Sequence, residues 1–170
     1  MPILYIITGP AGVGKSTISR ELANNKNKSA LVEGDEIYHQ VIGGYSQAWK
    51  DNNHLETFWK VCANMIRIYL EDEFDVVFNY IVTPKDIEYL RSTFKDYIIK
   101  FVVLMADEIT LLARDSGRPV NVQMKERCTE LLESFKSKKY DTNYMLDTSH
   151  MTIDQTVRII ETDNRFIMWE

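Results

Sequence analysis

Wholly apolar segments alternate along the chain with segments whose apolar residues recur every three to four positions. Residues 3–7 contain no polar side chain, which is typical of a strand buried on both faces of a parallel sheet. Ile18 and Leu22 lie four apart in a polar stretch, as on one face of a helix. The pattern predicts strands at 3–7, 30–33, 76–78, 97–105 and 144–146, and helices at 15–23, 36–42, 54–71, 108–114, 122–135, 153–161 and from Pro84 onward. Strands alternating with helices predict a parallel sheet covered on both sides, in one domain spanning 1–170.

A glycine-rich motif separates the first predicted strand from the first predicted helix. Residues 9–16 read Gly-Pro-Ala-Gly-Val-Gly-Lys-Ser and match G-x-x-x-x-G-K-S at every fixed position. Glycines let backbone N–H groups turn inward around phosphate oxygens, and the start of a helix directs its positive end at the same anion. We therefore expect a nucleotide-phosphate site lined by Gly9, Ala11, Gly12, Val13, Gly14, Lys15, Ser16 and Thr17.

Two residues of this motif carry the expected chemistry. Lys15 should bridge the β- and γ-phosphates of ATP as a catalytic residue, and the Ser16 hydroxyl should ligate Mg²⁺. Thr17 adds a further hydroxyl, for which bonding within the helix is the alternative role. The alternative for the whole motif is a glycine-rich turn with an exposed lysine.

An acidic residue follows the second predicted strand. Asp35 would stand near the carboxyl end of that strand, the edge at which open α/β sheets bind ligands. If this strand lies near the motif-bearing strand, the Asp35 carboxylate can accept the proton of an acceptor hydroxyl and hold a magnesium-bound water. Asp35 is thus a predicted catalytic, metal and substrate residue. The alternative is that Asp35 only N-caps a helix beginning at Glu36.

Residues 114–119, Arg-Asp-Ser-Gly-Arg-Pro, separate two predicted helices. Two arginines around a glycine suit a mobile lid, at about 112–125, whose closure brings guanidinium groups onto the nucleotide phosphates and excludes water. Arg114 and Arg118 are its predicted catalytic residues, Arg114 also as a nucleotide ligand, and Arg127 is a further candidate. The alternative is an ordinary helix end with glycine as its cap.

Residues 35–60 are predicted to bind the phosphoryl acceptor. Aromatic faces beside hydrogen-bonding groups suit a small polar ligand with some apolar surface, such as a sugar acid, a nucleoside or an antibiotic. Tyr45 and Trp49 are candidate substrate residues in a loop-like stretch, and Asn79 can hydrogen-bond an acceptor without supplying a charge. Trp59 falls on the apolar face of a helix and is expected to pack in the core.

Charge and composition narrow the class of partner. The net charge of −5 over 170 residues, without a basic stripe, disfavours a nucleic-acid partner and favours a small molecule. Cys62 and Cys128 lack metal-site spacing and are expected to be reduced core thiols. The apolar run at the N-terminus is too short to span a membrane. We expect a cytoplasmic monomer or homodimer.

Other nucleotide-binding classes fit the sequence less well than a kinase. The two Asn-Lys pairs at 25–28 are not followed by the x-Asp that a GTPase uses for guanine. The chain is also short for an AAA-type or transporter ATPase. Three alternatives stay open: a nucleoside or nucleotide kinase, a zeta-toxin-like kinase, and a nucleotide-dependent regulatory module that transfers no phosphate.

Four segments together resemble a known family: the motif at 9–16, Val32-Glu33-Gly34-Asp35, the stretch from Arg114 to Arg118, and Leu146-Asp147-Thr148-Ser149. They are similar to the P-loop small-molecule kinases that include shikimate, gluconate and adenylylsulfate kinases and chloramphenicol phosphotransferase. The resemblance implies an α/β P-loop NTPase fold of three layers, α/β/α, with a five-stranded parallel sheet and an Arg-bearing lid.

The same resemblance implies the activity. It implies ATP-dependent transfer of the γ-phosphoryl group to a small-molecule hydroxyl, with Asp35 contacting the acceptor or Mg²⁺ and the loop at 147–150 bordering adenine through backbone groups. Several of these kinases carry an acidic residue after the third strand, where this chain has Asn79. The acceptor signatures of gluconate and shikimate kinases are not evident, so neither substrate is assigned.

Overall fold

Five parallel strands form a single sheet in the order β2–β3–β1–β4–β5. The structure is a computed structural model and describes residues 1–48, 54–117, 123, 126–138 and 140–168. The strands are β1 (Ile3–Thr8), β2 (Ser29–Glu33), β3 (Asp75–Asn79), β4 (Ile98–Met105) and β5 (Met145–Asp147). The α-helices described are α1 (Lys15–Asn24), α2 (Gly34–Tyr38), α3 (Leu55–Glu71), α4 (Pro84–Thr93), α5 (Glu108–Ser116), α6 (Glu126–Ser137) and α7 (Ile153–Thr162).

The side chains of β1 alternate between two hydrophobic cores, one on each face of the sheet. Leu4 and Ile6 belong to the core that includes α3 and α4, whereas Tyr5 and Ile7 belong to the core that includes α1 and α7. These four side chains are at most 2% exposed, which explains the apolar run at residues 3–7. The predicted three-layer α/β/α fold with a five-stranded parallel sheet is confirmed.

Most predicted elements are present with boundaries shifted by at most two residues. Pro84 is the first residue of α4, where Thr83 accepts a hydrogen bond from the Asp86 backbone N–H and Asp86 bonds back to Thr83. The first half of the molecule departs most at α2. This helix covers only Gly34–Tyr38, not 36–42, and its C-cap residue is His39, whose Nδ1 lies 2.6 Å from the Asp35 carbonyl oxygen. The predicted start of α6 at 122 lies outside the described residues.

Strand β3 lies between β2 and β1, so the second strand is not the neighbour of β1. The register nevertheless brings their carboxyl ends together, because Asn79 of β3 pairs with both Glu33 of β2 and Ile7 of β1. The loop that follows β1 and the start of α2 therefore meet at one edge of the sheet.

Candidate active site

Steric constraints fix the course of the loop at residues 9–14. Gly9 has φ +148°, and a Cβ placed there would lie 2.4 Å from the carbonyl oxygen of Leu104 in β4. Gly14 has φ +101° and is the N-cap residue of α1, so the helix begins at Lys15 as predicted. The side chains of Ala11 and Val13 are buried, which leaves only their backbone groups to face a ligand.

The Lys15 side chain folds back over this loop. Its Nζ donates hydrogen bonds to the carbonyl oxygens of Gly9, at 2.9 Å, and Pro10, at 3.0 Å. A cation is thereby held above the loop at the start of α1, whose positive end points the same way. Ser16 and Thr17 are exposed on the first turn of the helix. For Thr17, the role of nucleotide ligand and the alternative of bonding within the helix both stay predictions.

Ser16, Glu33 and Asn79 form a hydrogen-bonded cluster beside the loop. Asn79 Nδ2 donates to Glu33 Oε2 at 2.6 Å and to Ser16 Oγ at 3.2 Å. Ser16 Oγ lies 3.4 Å from Glu33 Oε2 and can donate to it. The structure thus brings the predicted metal residue Ser16 and the predicted substrate residue Asn79 together.

Glu33 is the residue of this cluster that the sequence did not reveal. Burial and, to a lesser extent, the neighbouring Glu36 raise the pKa of the Glu33 carboxyl group above its usual value. Arg20, 3.9 Å away, and the hydrogen bonds from Ser16 and Asn79 oppose that rise. The position of Glu33 at the end of a strand was the available signal, but the pairing of that strand with β3 was not deducible from it.

This cluster fits a magnesium ion. Carboxylate and hydroxyl oxygens are the protein ligands that Mg²⁺ prefers, and a divalent cation beside Glu33 would favour its ionised form. Glu33 and Ser16 are the oxygen donors available for such an ion. Among the described residues, no group of three or more His, Cys, Asp or Glu residues is arranged to hold a metal by itself.

Asp35 lies in the first turn of α2 and is exposed. The helix begins at Gly34 with Glu33 as its N-cap residue, so the alternative that Asp35 N-caps a helix from Glu36 is wrong. The Asp35 side chain makes no hydrogen bond to another described residue. Its carboxylate is therefore available to a ligand, two residues along the chain from Glu33.

Arg114 connects the loop after β1 to the loop after β5. Its Nη1 donates to the Val13 carbonyl oxygen at 2.9 Å and to Thr148 Oγ1 at 3.1 Å, and its Nη2 donates to the Thr148 carbonyl oxygen at 2.8 Å. Thr148 is 2% exposed and donates in turn to the carbonyl oxygen of Met105. The guanidinium group thus links the loop at 9–14 to the loop at 147–150, which the resemblance assigned to phosphate and to adenine, by hydrogen bonds to both.

The remaining predicted residues are only partly described. Trp49 and Arg118 lie outside the described residues, as does most of the proposed lid. Helix α5 ends at Ser116 with Gly117 as its C-cap, which agrees with the helix-end alternative for this segment and does not test the lid. Tyr45 is 41% exposed and stacks on His39 with ring centroids 5.7 Å apart.

Trp59 packs against the core, as predicted. Its ring lies 5.1 Å from that of Phe58 and 5.8 Å from that of Tyr80, measured between centroids. These rings form a wall between α2, α3 and the residues after β3. A surface hollow of about 550 Å³ lies beside Tyr97 and Ile99, at the start of β4 and therefore at the opposite ends of the strands, so it is separate from this site.

The chain belongs to the family described as AAA domain, whose model matches residues 4–139. The short length of the chain argued against an AAA-type ATPase. This match shows that chain length does not exclude membership of the family. No curated protein matches the chain by sequence. None of the helices in the described part of the chain is long and apolar enough to cross a membrane.

Several solved structures share the fold. A sugar kinase from Janibacter sp. HTCC2649 has 13% identity and a TM-score of 0.70, covering 93% of this chain and 91% of that one. The tunicamycin resistance protein of Deinococcus radiodurans has 19% identity and a TM-score of 0.67, covering 99% of both chains. A gluconokinase from Sinorhizobium meliloti 1021 has 18% identity and a TM-score of 0.65, covering 94% of this chain and 89% of that one. The fold is therefore that of the P-loop kinases, as the resemblance implied.

Proposed function

We propose that the protein is an ATP-dependent phosphotransferase that moves the γ-phosphoryl group of ATP to a hydroxyl of a small molecule. The observation that carries this proposal is the meeting of three features at one edge of the sheet. These are the phosphate-type loop with Lys15, the cluster of Ser16 with Glu33, and the exposed Asp35 carboxylate. A nucleotide-binding switch would need the first two features but not the third.

The transfer step assigns a task to each group. The Asp35 carboxylate takes the proton of the acceptor hydroxyl as its oxygen bonds to the γ-phosphorus. The bond from that phosphorus to the β,γ-bridging oxygen breaks, and ADP leaves with that oxygen. Lys15 exchanges the carbonyl oxygens of Gly9 and Pro10 for phosphate oxygens and neutralises the charge that develops on them.

Magnesium would be held by Ser16 and Glu33, and when bound it would neutralise phosphate charge. Asn79 holds the Glu33 carboxylate in place from the neighbouring strand. Glu33 thus offers a carboxylate at this edge although the third strand ends in an amide rather than an acid. We also propose that Arg114, with Arg118 in a lid at about 112–125, shields the nucleotide from water.

The neighbours in fold support an alcohol acceptor. Their names describe a sugar kinase, a gluconokinase and a tunicamycin resistance protein, two of which are kinases by name. Because identity to each is below 20%, the acceptor of this chain does not follow from theirs. The acceptor segment at about 35–60 is therefore the part of the single domain in which specificity is expected to lie.

The test is release of ADP from Mg·ATP with a panel of hydroxyl acceptors: gluconate, shikimate, adenylylsulfate, uridine and N-acetylglucosamine. We expect at least one acceptor to raise ADP release above the rate in water, and Asp35→Asn to lower that rate by at least about 10²-fold with ATP still bound. Glu36→Gln, the exposed acid next in sequence, is the matched control and should retain the rate. An equal loss of ATP binding and rate in Asp35→Asn would contradict the assigned role.

A further inference from the structure

Tyr80 is a largely buried residue whose hydroxyl group reaches solvent and is bound by no described residue. The residue follows Asn79 at the end of β3 and is 9% exposed. Its ring packs on the backbone of Gly34, where a Cβ would lie 2.6 Å from the ring, and its centroid lies 4.5 Å from that of Phe58. Because the ring is held in this way, the hydroxyl group is presented at a fixed place where water or a ligand can bind it.

Tyr140 shows the usual arrangement in the same molecule. It is 8% exposed, and its hydroxyl donates to the carbonyl oxygen of Val82 at 2.7 Å. The two tyrosines are thus equally buried, and only the one at the catalytic edge has its hydroxyl unbound. Of the two hydroxyl groups, only that of Tyr80 is therefore available to a ligand.

The surroundings of Tyr80 place that ligand beside Asp35. Burial, and then the charge of the Asp35 carboxylate, raise the pKa of the Tyr80 hydroxyl well above its usual value. The group therefore remains protonated at physiological pH and can act as a hydrogen-bond donor, not as a base. Gly34, on which the ring rests, immediately precedes Asp35, so the donor and the proposed base belong to one site.

The described part of the same site provides little positive charge with which to bind an anionic acceptor. Residues 34–48 and 54–60 contain a single Lys or Arg, Lys60, and its Nζ lies 2.5 Å from Glu56 Oε1. Asp35 and Glu36 are acidic and exposed on α2. A carboxylate or phosphate on the acceptor would meet this acidic surface without a described cation to bind it; Lys50 lies outside the described residues.

We propose that the Tyr80 hydroxyl donates a hydrogen bond to the phosphoryl acceptor, and that this acceptor is an uncharged polyol such as a neutral sugar or a nucleoside. The proposal rests on the proposed function, since it names the acceptor class of the same site. The Tyr80 hydroxyl and the Asp35 carboxylate bind oxygens of the acceptor. Sugar acids and nucleotides are the acceptors that this site rejects.

The experiment measures binding of uridine, N-acetylglucosamine, gluconate and shikimate to protein saturated with Mg²⁺ and a non-hydrolysable ATP analogue. Wild type, Tyr80→Phe and Tyr140→Phe are compared by calorimetry. We expect at least one neutral probe to bind and neither acid to do so. Tyr80→Phe should weaken the neutral probe by about 10-fold, the usual effect of one hydrogen bond, without changing affinity for the ATP analogue.

Tyr140→Phe separates this role from a structural one. It should lower the melting temperature and leave probe affinity unchanged, whereas Tyr80→Phe should leave the melting temperature unchanged or raised. Three results would each overturn the proposal. They are unchanged probe affinity in Tyr80→Phe, binding of gluconate or shikimate in preference to the neutral probes, and no binding of either neutral probe. If the acceptor-class proposal failed in this way, ADP release with gluconate would still support a kinase. If instead a neutral probe bound without ADP release from Mg·ATP, that result would contradict the proposed function alone.

Discussion

The nucleotide side and the acceptor side of the sheet edge are built in different ways. On the nucleotide side, the loop at 9–14 is defined by backbone conformation, by the contact of Gly9 with Leu104, and by Arg114. On the acceptor side, single side chains hold the chain between α2 and α3. Tyr38 donates to the Ser46 carbonyl oxygen, and His54 Nε2 lies 2.7 Å from the Gly44 carbonyl oxygen.

This difference explains why one side can be recognised from sequence and the other cannot. A phosphate group is the same in every nucleotide, so one backbone loop with fixed glycines serves many proteins. An acceptor differs between enzymes, and its site is assembled from rings and carboxylates that come from distant parts of the chain. Substitutions on the two sides should therefore differ in what they change.

The largest expected effect belongs to the nucleotide side. Lys15→Ala removes the cation above the loop and should lower ADP release by about 10³-fold or more, since phosphoryl transfer depends on charge neutralisation. Lys60→Ala, in the acceptor segment, removes one partner of an exposed ion pair and should change the rate little. Full activity of Lys15→Ala in the same assay would invalidate the assignment of the loop.

Glycine replacements test whether the backbone is more tightly constrained on the nucleotide side than on the acceptor side. Gly9→Ala places a Cβ against the Leu104 carbonyl oxygen at a φ that side chains rarely adopt, and should cost about 3 kcal/mol of unfolding free energy. Gly43→Ala, in the acceptor segment, meets open space and should change stability by less than about 0.5 kcal/mol. Urea denaturation followed by circular dichroism measures both. Equal losses would mean that the two sides are constrained alike.

Two buried tyrosines, Tyr140 and Tyr80, allow the stability effect of a bonded hydroxyl group to be compared with that of an unbonded one. Tyr140→Phe removes a hydrogen bond and leaves the Val82 carbonyl oxygen without its donor, which should cost about 1 kcal/mol. Tyr80→Phe removes a hydroxyl that no described residue binds and should leave the free energy of unfolding unchanged or raised. Denaturant midpoints at equal slope provide the measurement. A larger loss in Tyr80→Phe would show that its hydroxyl stabilises the fold.

The smallest effect concerns the pH dependence of the nucleotide-free protein. Because burial raises the pKa of Glu33 in the folded state, its carboxylate destabilises the fold at neutral pH. The associated stability is present below the unfolded pKa, near 4.5, and is lost as pH rises through the folded pKa. Glu33→Gln should therefore melt higher than wild type at pH 7 and no higher below about pH 4. Glu130→Gln, an exposed control, should melt like wild type at pH 7; a lower melting temperature of Glu33→Gln there would contradict the burial effect.

The sequence was sufficient for the sheet, the order of elements and the loop at 9–16, because each is encoded by neighbouring residues. It was insufficient for Glu33, whose contact with Asn79 depends on the insertion of β3 between β2 and β1. Tyr80 was missed for a similar reason, since its contact with Gly34 joins residues 46 positions apart. The end of α2 was placed too late, because Tyr38 and His39 continue the helical pattern while their side chains bind the returning chain and the helix backbone.

Direct observation of the transferred phosphoryl group tests the central claim most sharply. Phosphorus NMR of Mg·ATP with the protein and a neutral acceptor, uridine or N-acetylglucosamine, distinguishes a phosphomonoester from inorganic phosphate. The account predicts a phosphomonoester signal with wild type that grows with ADP and is strongly reduced in Asp35→Asn. Inorganic phosphate as the sole product, at the same rate with and without acceptor and in Asp35→Asn, would contradict it.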